Sequence, residues 1–279
     1  MKSMEIEQES DAIDAAAVAR AVELLAIGGR VTGLPVAGST NQLALEAAQA
    51  GARRGIWVAD EQTAGRGRGG HSWHSTRGDG LYVSVLVTPE LPLDRALWLS
   101  LATGLAARQA ILATTDIRID LRWPNDLLYG SRKLGGILVE SSVAKAPTNS
   151  GAALRYAVLG VGINVHHRAF PPDIASLATS LDLEGDRRAS RQTLLIAFLR
   201  ALDRELYELD REFGGVGDGP TLLTRFGEAS SWVQGKRVQV PEEGGYTGVT
   251  AGLDSRGFLL VDGDDSVRRT VLSGGVREL

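Results

Sequence analysis

The chain has 279 residues, no cysteine and a formal net charge of −4 at pH 7. A chain of this length suits one large domain with a small one, and it buries about three quarters of its unfolded surface without covalent cross-links. These properties exclude a disulfide scaffold, thiolate chemistry and general binding of polyanions, so any affinity for nucleic acid must be local.

The first 30 residues predict a polar tail followed by one helix. The stretch MKSMEIEQESDAID holds no apolar signal region. We expect no apolar run of the chain to reach membrane-spanning length, which predicts a cytoplasmic protein without a membrane partner. Residues 12–27 are alanine-rich with helical spacing and end at Gly28 and Gly29, which are typical of a helix C-terminus.

Residues 31–228 predict one α+β domain, with a mixed sheet flanked by helices. A helix begins near Ser39, because serine and threonine are favoured N-caps, and it ends at Gly51. Short apolar runs between turn residues predict strands, and longer runs with apolar residues at helical spacing predict helices. We expect strands at 55–60, 80–87, 117–123, 133–140 and 155–165, and further helices at 93–113, 191–213 and 222–228.

Residues 229–279 predict a separate, small β-barrel. They contain four short apolar runs separated by turn residues, namely GKRVQV, YTGVTAGL, GFLLVDG and VRRTVLS. The arginines of this region have acidic neighbours, which favours a structural or docking role over nucleic-acid binding. These arginines are Arg237, Arg256, Arg268, Arg269 and Arg277.

The stretch EQTAGRGRGGHSWHS (residues 61–75, the arginine-glycine loop) lies between two predicted strands. Three interpretations are open from its composition. It is a flexible surface loop, an RNA-binding segment with Trp73 as a stacking platform, or a loop whose amides and guanidinium groups close over an anion. The sequence GRGRGG does not match the phosphate-binding P-loop pattern. The loop alone therefore does not decide among them.

The stretch RWPNDLLYGSRKLGGILVE (residues 122–140) places polar side chains beside predicted strands. Asn125 and Asp126 form either an ordinary turn or a site at which the carboxylate holds Mg²⁺. Lys133 is either an edge-strand lysine or a point charge for an oxygen that becomes more negative during a reaction. In the run VLGVGINV, Asn164 is bonded to backbone or directed at a ligand.

The histidines and two of the tryptophans are not predicted to bind a metal or a ligand. Two histidine pairs, at 71 and 74 and at 166 and 167, lack a nearby third ligand, so we do not expect a zinc site. Trp57 and Trp98 are predicted to lie in the core or at an interface.

Six motifs, taken in order, resemble those of the biotin protein ligases: GSTN, EQTAGRGRGGHSW, GLYVSV, RWPNDLL, RKLGGILVE and GVGINV. The resemblance covers residues 33–279. It implies a class II synthetase-like catalytic domain followed by an SH3-like barrel. It also implies an enzyme that forms biotinyl-5′-AMP from biotin and ATP, with Mg²⁺, and transfers biotin to one lysine of a biotin carboxyl carrier protein domain.

The resemblance also assigns roles to residues of this chain. The catalytic group would be Lys133, Arg66 and Arg68, and the nucleotide would contact Arg68, Trp73, Asn125, Lys133 and Asn164. Asp126 would hold the metal ion. Biotin would contact Ser39, Thr40, Asn41, Gln62, Gly65, Arg66, Gly67, Arg68, Lys133, Gly136 and Leu138. We further expect the arginine-glycine loop to stay disordered until an anion orders it, since the reactive anhydride needs a cover that opens.

Three features depart from the family pattern or leave alternatives. Arg122 stands where the family usually has lysine, and Gly69 where some relatives have a basic residue. Some members carry an N-terminal helix-turn-helix repressor domain, and with only one helix expected before Val31 we predict no DNA binding. The rival functions are a lipoate or octanoate ligase and an RNA-binding module. A monomer and a homodimer are both open.

Overall fold

The computed structural model describes residues 11–143, 152–217, 219–241, 244–272 and 274–279. In these ranges the chain forms a seven-stranded mixed sheet flanked by helices and a separate five-stranded antiparallel sheet. The predicted α+β class is therefore confirmed. Residues 1–10 of the predicted tail lie outside the described residues.

The helices mostly follow the sequence prediction. They are α1 (Ala15–Ala21), α2 (Thr40–Gln49), α3 (Ala96–Thr115), α4 (Leu181–Glu184), α5 (Arg191–Phe213) and α6 (Leu222–Ala229). The helix expected over 12–27 is shorter, because the amide of Ile27 bonds to the Asp203 carboxylate at 3.0 Å instead of to a helical carbonyl. Asp14 caps α1 by accepting from the amides of Ala16 and Ala17.

The large sheet has the strand order β1-β2-β3-β7-β6-β5-β4, and β1 with β2 forms its parallel pair. Two of its strands are absent from the sequence prediction. β1 is only four residues long, and β5 follows the predicted 117–123 strand after a tight turn, so Asp126 lies in a strand. The bounds are β1 (Val31–Leu34), β2 (Gly55–Ala59), β3 (Gly80–Val87), β4 (Asp120–Arg122), β5 (Asp126–Tyr129), β6 (Arg132–Val143) and β7 (Leu154–Asn164).

One face of this sheet packs against α3 and α5 in the main hydrophobic core. The segment Leu93–Thr115 is long and apolar enough to cross a membrane, which contradicts the expectation that no apolar run reaches that length. Its composition has another physical reason, since α3 is buried between the sheet and neighbouring helices. A helix covered on most sides needs apolar residues around its whole circumference.

The opposite face of the sheet is covered over only part of its area. Ala44 and Ala48 of α2 pack on Leu86 of β3 and Val158 of β7. Further along β7, the residues on this face are Gly160 and Gly162, and helix cover stops. A cavity forms there.

The small sheet has the order β11-β10-β9-β8-β12. Its strands are β8 (Gln234–Val240), β9 (Tyr246–Leu253), β10 (Leu259–Gly263), β11 (Arg268–Val271) and β12 (Arg277–Glu278). Within the described ranges β11 pairs only with β10 and β12 only with β8, so the expected barrel does not close. The predicted run 267–273 includes position 273, which lies outside the described residues.

The predicted charge balance of the small sheet is visible as ion pairs. Four of its five arginines pair with aspartates of the same region. The pairs are Arg237–Asp264, Arg256–Asp254, Arg268–Asp262 and Arg269–Asp265. The small sheet is also tied to the large domain, because the indole N–H of Trp123 donates to the Gly257 carbonyl at 2.9 Å.

Candidate active site

The glycine-rich part of the sheet forms the floor of a small cavity. The first turn of α2 forms one wall, and residues 66–68 and Trp73 of the arginine-glycine loop form another. It follows that the loop and the ends of several elements, which are far apart in sequence, enclose one site.

Glycine is required in the floor because other groups occupy the space of a side chain. A Cβ atom on Gly160 would lie 2.1 Å from Asn41 Oδ1, and one on Gly162 would lie 2.4 Å from Trp73 Nε1. Both distances are too short for a Cβ contact. The absence of a side chain at Gly160 leaves room for Asn41, and its absence at Gly162 leaves room for Trp73.

The polar wall is a continuous set of hydrogen bonds. Gln62 Oε1 accepts from the Thr40 amide at 2.9 Å and from the Thr40 hydroxyl, which ties the loop stem to the N-terminus of α2. Ser84 Oγ lies 2.8 Å from Thr40 Oγ1 and 2.5 Å from Asn41 Oδ1. Asn41 Nδ2 donates to the Leu138 carbonyl at 3.2 Å. The side chains expected to meet biotin are thus held in place by one another and by the sheet.

The arginine-glycine loop is folded back on itself as a narrow hairpin. The amide of Gly67 donates to the carbonyl of His71 at 2.6 Å, and the amide of Trp73 donates to the carbonyl of Gly65 at 2.9 Å. At the tip, Gly69 has φ 67° and Gly70 has φ 81°, values that favour glycine. The close approach at Gly65 is equally demanding, since a Cβ there would lie 2.6 Å from the Trp73 carbonyl oxygen.

The two arginines of this loop each have a partner within the chain. Arg66 Nη2 pairs with Glu140 Oε2 at 2.8 Å, and Arg68 Nη1 donates to the carbonyl of Gly274 at 2.7 Å. We expected the loop to be disordered without an anion. In the structure the loop has a folded arrangement in which Glu140 supplies Arg66 with a carboxylate from the chain itself, and disorder of the empty loop stays a prediction.

The cationic wall is organised by Asp126. Its two carboxylate oxygens meet Lys133 Nζ and the guanidinium of Arg122, the latter at 2.5 Å. Burial by itself raises the pKa of the Asp126 carboxyl, but the nearby charges of Lys133 and Arg122 outweigh it and hold this pKa below its usual value. Asp126 is therefore an anion at neutral pH, and it fixes the position of the Lys133 ammonium.

Lys133 is not on an edge strand, which corrects one of the two interpretations of it. β5 pairs with β6 on one side, and on the other the Lys133 amide donates to the carbonyl of Leu177 at 2.7 Å. Its ammonium lies 5.5 Å from the centre of the Trp73 ring, over the cavity. The hydrogen-bonded backbone of Lys133 and the ion pair of its ammonium with Asp126 together fix the position of this charge.

The structure brings most of the predicted site residues to this single cavity. Three do not line it: Gly65 shapes the loop, Asp126 lies behind Lys133, and Asn164 Nδ2 donates to the Thr179 carbonyl at 2.9 Å. Asn164 is thus bonded to backbone, as one of its two interpretations states. The residues that line the cavity are Ser39, Thr40, Asn41, Gln62, Arg66, Gly67, Arg68, Trp73, Asn125, Lys133, Gly136 and Leu138.

Asp126 in this arrangement does not fit a resident Mg²⁺ ion. Mg²⁺ is held by free carboxylate oxygens together with water or phosphate oxygens, and both oxygens of Asp126 already bond to cations. The described residues contain no group of three or more His, Cys, Asp or Glu placed to hold a metal. The contacts of Asp126 point to orientation of Lys133 rather than to metal binding.

Sequence reasoning missed two polar residues of the site, Ser84 and Glu140. The missing signal is the two-residue alternation of a strand. Gly136 and Leu138 were both predicted to line the pocket, and Glu140 is the next residue of β6 on that face. Ser84 lies opposite Gly160 of the neighbouring strand β7, on the same face of the sheet. Ser84 lies in the motif GLYVSV and Glu140 ends the motif RKLGGILVE, but only the pairing of the strands shows which residues of the site they meet.

The paired histidines have other partners than a metal. His166 lies between the carboxylates of Asp182, at 2.9 Å from Nδ1, and Asp11, at 2.8 Å from Nε2. His167 stacks on Phe170 with ring centres 5.1 Å apart. Burial lowers the pKa of His167 to about 4. His167 is therefore neutral at pH 7.

A second, larger cavity lies at the far end of β3. Leu86, Leu91 and Leu209 are among its lining residues, and no predicted site residue is. Its polar groups are not connected to the loop or to Lys133. The smaller cavity is therefore the candidate active site.

Comparisons with known proteins agree with this choice. Residues 33–164 match the model of the biotin/lipoate A/B protein ligase family, and residues 234–276 match the biotin protein ligase C-terminal domain. The first of these ranges contains every residue predicted for the site. The second covers most of the small sheet.

Three known proteins illustrate the similarity. The biotin–[acetyl-CoA-carboxylase] ligase of Mycobacterium tuberculosis is 33% identical over 81% of this chain and 80% of its own length. The bifunctional ligase/repressor BirA of Bacillus subtilis is 30% identical over 84% of this chain and 70% of its own length. The biotin protein ligase from Aquifex aeolicus in complex with biotin and ATP superposes with a TM-score of 0.69 at 28% identity, covering 88% and 97% of the two chains.

Proposed function

This chain belongs to the biotin protein ligase family, and we propose that it forms biotinyl-5′-AMP from biotin and ATP and passes the biotinyl group to a lysine of a carboxylase carrier protein. One observation supports this most strongly. A single cavity combines a wall of uncharged hydrogen-bonding side chains with a wall of cations. A ligand with a polar ring at one end and an anion at the other matches such a cavity.

The polar wall suits the ureido ring of biotin. A ureido group has one carbonyl acceptor and two N–H donors, and hydroxyl and amide side chains provide both complements. Ser39 adds to this wall at the start of α2, where its side chain makes no capping hydrogen bond. The Aquifex aeolicus relative is described as bound to biotin and ATP, which supports the same ligands here.

The cationic wall suits the reaction between a carboxylate and ATP. A biotin carboxylate oxygen forms a bond to the α-phosphorus, the bond from that phosphorus to the bridging oxygen breaks, and pyrophosphate leaves. Negative charge builds on the phosphoryl oxygens, and Lys133 with Arg66 and Arg68 is positioned to stabilise it. The protein contributes orientation and charge, and no residue need form a covalent bond.

The second step transfers the biotinyl group. The lysine amine of the carrier attacks the acyl carbon, the bond from that carbon to the phosphate oxygen breaks, and AMP leaves while the nitrogen loses a proton. The arginine-glycine loop and the indole of Trp73 cover the cavity, which keeps water from the anhydride before the amine arrives. The acetyl-CoA-carboxylase ligase from Mycobacterium tuberculosis supports a carboxylase carrier as the acceptor.

The main rival is a lipoate ligase, because the matching family model includes both classes. A lipoyl chain needs a long apolar tunnel, whereas Thr40, Asn41 and Gln62 put polar groups along this cavity. Biotin is therefore the better fit.

Pyrophosphate exchange into ATP tests the proposal. We expect exchange that requires biotin and is not supported by lipoate. Exchange that is supported by lipoate and not by biotin would overturn the assignment. An assay of biotin transfer to a purified carrier domain then tests the second step.

Several further expectations stay proposals. They are the domain ranges 1–30, 31–228 and 229–279, a cytoplasmic location, Mg²⁺ as an accompaniment of ATP, and the lack of DNA binding. The relatives include proteins named ligase/repressor, so a DNA-binding assay with this chain is informative. Sedimentation of the pure protein decides between a monomer and a homodimer.

A further inference from the structure

Glu140 adjoins the candidate site and contacts two residues that line its cavity, Asn41 and Arg66. It lies on β6 beyond Leu138, where helix α2, the sheet and the arginine-glycine loop meet. Its side chain is 28% exposed, so it is neither a surface carboxylate nor a fully buried one. It ends the motif RKLGGILVE, but the resemblance gives it no role, and the proposed reaction does not by itself require a carboxylate there.

One oxygen of Glu140 accepts hydrogen bonds from two predicted biotin-binding residues. Oε2 lies 2.9 Å from Asn41 Nδ2 and 2.8 Å from Arg66 Nη2. Asn41 is 4% exposed and also bonds to Ser84 and the Leu138 carbonyl, so its amide is fixed. Glu140 therefore connects Arg66, a long side chain on the glycine-rich loop, with Asn41 of the polar wall.

The pairing leaves Arg66 able to bind a second anion. A guanidinium has five N–H donors in a rigid fork, and Glu140 engages only Nη2. An ion pair as exposed as this one contributes little to folding stability. Its main consequence is the direction of the guanidinium plane. Partners that orient a binding group in this way are worth about 10- to 100-fold in affinity at metal sites, where the effect is well measured.

We infer that Glu140 is a positioning residue for substrate binding: it holds the Arg66 guanidinium so that the remaining N–H groups meet the carboxylate of biotin. The inference rests on the proposed function, since it names how that same site orders its loop. Glu140 touches neither reacting atom and acts through Arg66.

The test is a double-mutant cycle on biotin affinity, measured by titration calorimetry without nucleotide. Glu140→Gln keeps the shape and an oxygen acceptor for Asn41 but removes the charge that binds Arg66. We expect this variant to bind biotin about tenfold more weakly, with an unchanged melting temperature. In the Arg66→Ala background, the same change is expected to have no further effect, since the residue through which Glu140 acts is gone.

Glu61→Gln is the matched control. Glu61, on the stem of the same loop, also forms an ion pair with an arginine, Arg77 at 3.3 Å, but Arg77 does not line the cavity as Arg66 does. We expect wild-type biotin affinity for this variant.

Two results overturn the inference: wild-type affinity in Glu140→Gln, or an equal loss with and without Arg66, which places its effect elsewhere. If the wild-type protein binds no biotin, the proposed function fails instead. The two failures are thereby distinguishable.

Discussion

The chain contains two clusters of charged residues, and they differ in how many of their charged groups are paired within the chain. The Arg191 cluster consists of Arg191, Asp11, Asp60, His166 and Asp182. Arg191 is 3% exposed and bonds through all three guanidinium nitrogens, to Asp11, to Asp60 and to the carbonyl of Gly80. His166 then links Asp11 with Asp182. Each charged group of the Arg191 cluster therefore has a partner within the cluster.

The cavity cluster of Arg66, Lys133, Glu140 and Asp126 is more open. Arg66 is 40% exposed and makes one ion pair, and the Lys133 side chain is 34% exposed beside Trp73. The buried indole N–H of Trp73 has no hydrogen-bond partner among the described residues. Buried polar groups in folded proteins are normally paired, so donors left open around a cavity indicate a ligand. We therefore infer that the Arg191 cluster stabilises the fold and that the cavity cluster binds a ligand.

The largest expected effect breaks the Arg191 cluster. Arg191→Met leaves the carboxylates of Asp11 and Asp60 without their cation, and removing one partner of a buried pair costs about 3–5 kcal/mol. We expect that loss in the free energy of unfolding, measured with denaturant, while the folded variant keeps its pyrophosphate exchange. The control is Arg187→Met, whose pair with Asp116 is almost fully exposed. Equal losses in the two variants would contradict the role given to the cluster.

The second prediction addresses the cavity cluster through Lys133. Lys133→Met keeps the aliphatic stem and removes the charge that meets the reacting groups, and loss of one oriented donor lowers rates by about 10²–10³. Pyrophosphate exchange measures this, with Arg132→Met at the neighbouring exposed position as the control. Asp126 keeps Arg122 as a partner, so we expect the variant to fold. Exchange near the wild-type rate would remove Lys133 from the mechanism.

The third prediction sharpens the comparison at the cavity floor. Gly160→Ala places a methyl group 2.1 Å from Asn41 Oδ1, so the amide must move and its bonds to Ser84 and Glu140 are lost. The displaced Asn41 amide no longer holds the position from which it would bond to biotin, and loss of one such hydrogen bond lowers the affinity by about tenfold. Gly104→Ala is the control, since its Cβ meets no atom closer than 3.5 Å. Calorimetry that finds unchanged affinity in Gly160→Ala would remove Asn41 from the biotin site.

The smallest predicted effect concerns pH and stability. The pKa of His167 is lowered to about 4, chiefly by burial, while in the unfolded chain it returns to about 6.5. Between these pH values the unfolded chain binds a proton that the folded chain does not, so stability falls as the pH drops from 6.5 to 4. His167→Phe keeps a ring against Phe170 and removes this titration. We expect a shallower fall for the variant, measured by urea unfolding, and parallel curves would contradict the buried neutral state.

The site residues that belong to the glycine, arginine and lysine motifs could be predicted from the sequence, because these residue types at this spacing are consistent with few other kinds of site. Arg66, Lys133 and Gly136 meet at one cavity, as predicted. The contacts between distant segments are harder to predict. The contacts of Glu140 and Ser84 depend on which strands are neighbours in the sheet, and the ion pairs of Asp126 depend on β5, a strand that the sequence prediction lacks.

The fold shows the same division. Helix α5 follows its pattern, because a long amphipathic run over one apolar face has few alternatives. Short strands such as β1 and β12 fail to appear in the prediction, since they exist only by pairing with β2 and β8. The interior position of Lys133 is a similar case, as the strand that flanks it cannot be identified from local sequence.

The most direct test of the account is a calorimetric titration of the pure protein with biotin alone, run in parallel on the Arg191→Met and Asn41→Ala variants. The account predicts one-site binding by the wild type and by the folded Arg191→Met protein, and strongly weakened binding by Asn41→Ala. If the wild type binds no biotin, or if Asn41→Ala binds it as tightly as the wild type does, the cavity is not the vitamin's site and the account is wrong.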